Sequence, residues 1–273
     1  MKTKKIAAYG FAVIWSAITL FPLYFTLISS VKSNTEIFGL SAFKLPTRYH
    51  FEHFVRVFVE AGLGRALFNS FFIASISTLL VVLLASMASF YLAKSTGRLP
   101  GMLYAYISIG IMVPIHSTLV PLVKLVSSID GYNSYFTIIA VYATFQIPFA
   151  VFLITGYIRS LNKEIDESAM IDGCGPVRYL FTFVIPISMP IISTTAILTF
   201  LFIYNELIFA VLFLTKKEMY TISLSMLSFV GERSVEMGPI FAAIVIAILP
   251  MIAVYLTMQE KVIGGLSSGA VKG

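Results

Sequence analysis

The chain has little charge, one cysteine and three histidines. Asp, Glu, Lys and Arg make up 12% of its 273 residues, about half of what a soluble domain carries. With Cys174 alone, neither a disulfide within the chain nor a cysteine-rich metal site is available. His50 and His53 stand on either side of Glu52, but in a connecting segment such a set reads as solvated surface rather than a metal centre. His116, beside Pro114, reads as a packed histidine within an apolar stretch. The glycine-rich ending at 264–273 lacks the Gly-Lys-Ser/Thr of a phosphate loop, so the chain shows no nucleotide site. No nucleophile–base cluster is visible. We therefore expect no enzyme, no metal and no cofactor.

What the chain does have is long apolar runs. Hydrophobic residues make up 58%, with 24 Phe and 14 Tyr. A membrane-spanning helix needs about 20 predominantly apolar residues. Six stretches free of Asp, Glu, Lys and Arg meet that length: 6–31, 66–93, 99–123, 131–158, 179–205 and 237–259. We expect an all-α, polytopic membrane protein with six transmembrane helices. The apolar run 207–214 continues past Glu206, so the fifth helix is expected to extend toward it. The first stretch is too long for a signal peptide's apolar core of about 7–15 residues, and is expected to be a retained helix. Interior prolines at 22, 114, 121, 148, 186, 190 and 250 predict kinks. The net charge of +6 falls in the short connections, as basic membrane-facing residues do. Lys and Arg divide almost evenly between the two sides. Lys2, Lys4 and Lys5 before the first stretch favour an inside N-terminus.

The connection 160–181 has a pattern of its own. Asn162 is a plausible helix N-cap, and Glu164, Asp166 and Glu167 load the first turns with the negative charge that a helix dipole favours. Gly173 is suited to end that helix, and Gly175-Pro176 to start another. Two short helices on the membrane surface, acidic and partly apolar, make either a docking surface or an ordinary amphipathic connector.

Glu167-Ser168-Ala169, Gly173 and Phe183-Val184-Ile185-Pro186 resemble, in residues and spacing, the EAA loop of bacterial ABC importer permeases. Asp172 before the glycine fits; Ser168, Phe183 and Ile185 depart mildly. Tyr204-Asn205-Glu206 looks like the Trp-Asn-Glu stretch of carbohydrate permeases, and the ending Gly269-Ala270-Val271-Lys272-Gly273 is similar to one subunit class of that branch. The resemblance implies a type I ABC importer permease-like fold. It implies one transmembrane domain over 1–273, with an extracytoplasmic excursion at 32–66, a cytoplasmic coupling loop at 160–181 and a cytoplasmic tail at 260–273. It also implies a multi-pass protein of the cell membrane with both termini cytoplasmic, importing a sugar or oligosaccharide. Its expected partners are ABC ATPase subunits, which hydrolyse the ATP, a second homologous permease in a heterodimer, and an extracytoplasmic solute-binding protein. Nucleic acid is not among them. Expected ATPase-docking residues are Glu164, Glu167, Ser168, Ala169, Asp172, Gly173 and Pro186.

Asn205 and Glu206 are pathway candidates. An ionisable residue within an apolar run faces a bundle interior or cavity. Glu206 reads as a pathway or gate acid, or as an acid held by Asn69, a tyrosine or the backbone. An ion-coupled secondary transporter is the competing function. It is disfavoured by the lack of an internal repeat and by Glu206 being the only acid deep in a stretch.

Overall fold

The computed structural model describes residues 2–60, 62–171, 173–232 and 236–270, and among these it contains helices and no strand. The chain opens with α1 (Lys2–Ser29), α2 (Asn34–Ile37), α3 (Glu52–Glu60) and the 32-residue α4 (Leu63–Lys94). Next come α5 (Arg98–Ile109), α6 (Leu119–Ser128) and α7 (Tyr135–Ser160). Three short helices follow: α8 (Lys163–Ile171), α9 (Pro176–Tyr179) and α10 (Ile185–Ile187). The last are α11 (Met189–Asn205), α12 (Ile208–Phe213), α13 (Ile222–Glu232) and α14 (Met237–Ala270).

Four helices are long and apolar enough to cross a membrane unaided: α1, α4, α7 and α14. The other two expected spans are bent pairs. Arg98–Met112 and Ile115–Ser128 meet at 92°, and Pro176–Ile187 and Met189–Asn205 at 77°. With each pair counted as one span, the total is six. Pro114 explains the first bend. It cannot donate to the preceding turn, and it forces Val113 into extended backbone at φ −72°, ψ 118°. At the second, a π-turn over Leu180–Val184 precedes Pro186, and Pro190 opens α11. The expected extension of the fifth helix does not occur. The helix stops at Asn205, Glu206 is extended, and helix resumes at Ile208.

Two compact units make up the chain. One comprises Met1–Leu67 and Ile222–Ile252. Here Lys32 is buried, and its ammonium donates to the carbonyls of Ser41 (3.1 Å) and Ala42 (2.8 Å). Burial pushes its pKa down, against the opposing pull of Glu36. Glu36 accepts from the Thr47 N–H (2.9 Å) and hydroxyl (2.5 Å) and from Ser33, which holds its pKa down to about 2. His50 Nδ1 lies 2.6 Å from Glu52 and His53 Nδ1 3.1 Å from the Ser30 carbonyl. Among the described residues no three His, Cys, Asp or Glu side chains are grouped to hold a metal.

The second unit comprises Phe68–Thr221 and Ala253–Gly273. Its core runs along α7, which packs on α11 and α5. Ala74, Ser77, Val81, Ala85 and Ser89 of α4 are buried at helical spacing, and Ala143, Ala150, Ile154 and Thr155 of α7 are buried too. Between membrane helices the lipid offers no hydrophobic contrast. Small residues that allow close backbone approach, and occasional polar contacts, do the holding instead. Ser89 supplies one such contact, donating to the Val151 carbonyl at 3.3 Å.

Candidate functional site

Helix α8 shows how nine residues present two unlike faces. Asn162 Oδ1 accepts the Glu164 N–H at 3.2 Å, as an N-cap should. At the other end Gly173 has φ +66°, and the Cys174 N–H reaches back to the Ala169 carbonyl at 3.0 Å, the six-to-one bond of a Schellman ending. Pro176 then opens α9. At 3.6 residues per turn Glu164, Glu167, Ser168 and Ile171 share one side, and all are exposed. Ile165, Asp166 and Ala169 share the other. Ala169 is buried in the core with Leu92, Tyr179, Leu180 and Ile158, and Ile165 packs against it.

The outer surface thus combines two carboxylates with bare apolar side chains. Ile171 is 86% exposed and Val177, on α9, 70%. Of the docking residues expected from sequence, Glu164, Glu167 and Ser168 lie on this surface and Gly173 makes the turn. Ala169 points inward as a packing residue. Pro186 is exposed on α10. Asp172 lies outside the described residues. The side chains of the 260–273 tail also lie outside them.

Two residues to which sequence reading gave no role in this loop, Lys94 and Tyr179, tie α8 down through Asp166. Lys94, the last residue of α4, donates to both oxygens of Asp166 (2.6 and 2.7 Å), and the Tyr179 hydroxyl donates to Oδ1 of the same carboxylate. The signal was present in the spacing. A charge at 166, on the side shared by Ile165 and Ala169, needs a buried partner. Lys94, Asp166 and Tyr179 line a cavity of about 330 Å³ together with Phe90, Ala169, Cys174 and Pro176.

The pathway candidates separate. Asn205 is exposed, and its amide donates to the Leu201 carbonyl of its own helix (2.8 Å). Glu206 is half-buried and fully engaged. Its oxygens accept the N–H groups of Ile208 (2.7 Å) and Phe209 (3.1 Å), capping α12, and the hydroxyl of buried Tyr142 (2.8 Å). Asn69 holds other groups: its amide donates to the carbonyls of Glu218 (2.9 Å) and Tyr220 (3.0 Å) and accepts from Tyr135 (2.9 Å). Asn133 does similar work nearby, accepting from the N–H groups of Thr215 and Lys216.

Comparison with known proteins places this arrangement. Residues 81–265 match the family described as binding-protein-dependent transport system inner membrane component. A putative ABC transporter permease from Caldicellulosiruptor sp. (strain Rt8B.4) is 30% identical over 273 residues, covering 100% of this chain and 99% of that one. The melibiose/raffinose/stachyose import permease protein MelC of Bacillus subtilis (strain 168) is 33% identical over 263 residues, covering 96% and 95%. A chain of a bacterial ABC transporter involved in importing the acidic polysaccharide alginate superposes with a TM-score of 0.83 at 18% identity, covering 95% of this chain and 96% of that one. That superposition shows the same fold. The chain belongs to the family of inner-membrane components of binding-protein-dependent transport systems. It is a multi-pass membrane protein and a transport subunit, and the ion-coupled alternative is set aside.

Proposed function

We propose that this chain is one of two permease subunits of an ATP-driven importer for a sugar or oligosaccharide, with 1–273 acting as one membrane domain. The observation that carries the reading is the divided face of α8: Glu164, Glu167 and Ile171 exposed outward while Ile165, Asp166 and Ala169 are held inward. An exposed acidic and apolar helix followed by a left-handed glycine turn suits the cleft of an ATPase subunit, with Glu167 pairing a basic residue there. With four spans preceding it, a cytoplasmic α8 places the N-terminus, and after two more spans the C-terminus, in the cytoplasm. The segment 32–66 then faces the solute-binding protein.

Sugar as the solute is supported by the names of relatives, among them MelC and the diacetylchitobiose uptake permease NgcG of Streptomyces coelicolor. ATP closure of the ATPase pair pushes α8, and the bent helices change which side of the pathway is open. The test is purification of the tagged chain from its native membranes in mild detergent. We expect an ABC ATPase and a second, different permease to co-purify, and the associated binding protein to retain a carbohydrate. A solitary, monodisperse chain overturns the reading.

A further inference from the structure

We propose that the Lys94–Asp166 ion pair, seconded by Tyr179, is the link that passes movement of α8 into α4. This deepens the coupling reading above and rests on it. Three observations converge. Both Asp166 oxygens are engaged by the Lys94 ammonium, and the side chains are only 16% and 22% exposed. A pair so placed holds one geometry, and losing either member strands a charge. Second, the apolar contact of α8 with the bundle runs through Ile165 and Ala169, beside a cavity of about 330 Å³. Apolar contact is non-directional and lets a short helix slide. The contact of the Lys94 ammonium with both Asp166 oxygens does not.

Third, the receiving end is stiff. Lys94 terminates a continuous 32-residue helix. Arg159 of α7 donates to the Leu92 carbonyl (3.3 Å) and stacks its guanidinium 4.3 Å from the Tyr104 ring centre. It so binds the end of α4 to α7 and α5. A push on α8 therefore arrives, through Asp166, at the tip of a rod already gripped by its neighbours. Glu164 and Glu167 face the partner and Asp166 faces the bundle, so partner contact and transmission fall to different acids on one helix. Tyr179 and Lys94 act on Asp166 as positioning residues.

The test uses the intact complex co-purified from membranes, with hydrogen exchange followed by mass spectrometry, nucleotide-free and after trapping with ATP and orthovanadate. In the wild type, trapping is expected to change exchange in both 163–171 and 82–94. In Lys94→Met and Asp166→Asn the change in 163–171 persists while that in 82–94 falls at least threefold. The double swap Lys94→Asp/Asp166→Lys restores at least half of it. Tyr179→Phe, which keeps the ring packing, lowers the response of 82–94 about twofold and stands in should the charge variants fail to assemble. The proposal is overturned by a full response of 82–94 in the variants, by a folded swap that recovers nothing, or by a wild type in which 163–171 responds and 82–94 does not. A merely structural staple would alter the nucleotide-free exchange and leave the trapping-induced difference intact. Failure of the underlying reading looks different: no ATPase co-purifies with the wild-type chain.

Discussion

The Tyr142 hydroxyl donates to Glu206 at 2.8 Å, and the same carboxylate accepts the first N–H groups of α12. One acid thus joins α7 to a break in the fifth span. Glu206→Ala removes the cap, at a cost of about 1 kcal/mol. It also strands a buried hydroxyl, adding about 1–3 kcal/mol. We expect the detergent-solubilised chain to unfold roughly 4–16 °C lower. Glu206→Gln, which keeps an acceptor oxygen, should lose about half as much. Tyr142→Phe combined with Glu206→Ala should cost less than the two separately, since they share one interaction. Additive losses in a thermal scan would contradict the shared role.

Glu167→Lys reverses charge at an exposed position on the outer side of α8. We expect unchanged folding and membrane insertion, with at least tenfold less ATPase co-purifying. Ile171→Asp should act the same way by charging the apolar half of the surface. Normal ATPase recovery from both variants would move the docking surface elsewhere.

Gly173 has φ +66°, and a Cβ built on it meets nothing within 4 Å. The cost of substitution is therefore backbone strain alone, about 1–2 kcal/mol for an L-residue. We expect Gly173→Asn to be tolerated, Gly173→Ala to weaken ATPase association severalfold, and the β-branched Gly173→Val to weaken it most. Equal association for all three would show that the turn is not under conformational constraint.

The Thr47 hydroxyl and N–H hold the Glu36 carboxyl down to about 2, below its ordinary 4.5. A depressed carboxyl stabilises the fold above its unfolded pKa and loses that contribution as pH falls through the folded one. The difference in melting temperature between wild type and Glu36→Gln should be constant above about pH 5 and shrink between pH 4.5 and 2. A difference that grows on acidification would reverse the assignment.

Hydropathy resolves all six apolar stretches, because about twenty uncharged residues in a row match the thickness of a bilayer and little else. It does not resolve the breaks. Pro114 and Pro186 are visible as kinks, but proline inside α7 and α14 leaves those helices continuous, so the residue alone does not set the angle. The fifth stretch departs from its expected form for a related reason. Run length counts Leu207–Leu214 as more helix, whereas Glu206 turns its carboxylate onto the next backbone N–H groups and starts a new one. In the loop 160–181 the cap, the glycine turn and the proline start are readable, since each depends on a neighbour within a few residues. The identity of the partner of Asp166 is not, because Lys94 lies 72 residues away.

Cys174, half-exposed at the turn between α8 and α9, is the only thiol in the chain. This sequence therefore already carries a single reporter position. Within this chain a maleimide dye attached there needs no other cysteine removed, and its emission would report on the α8–α9 turn.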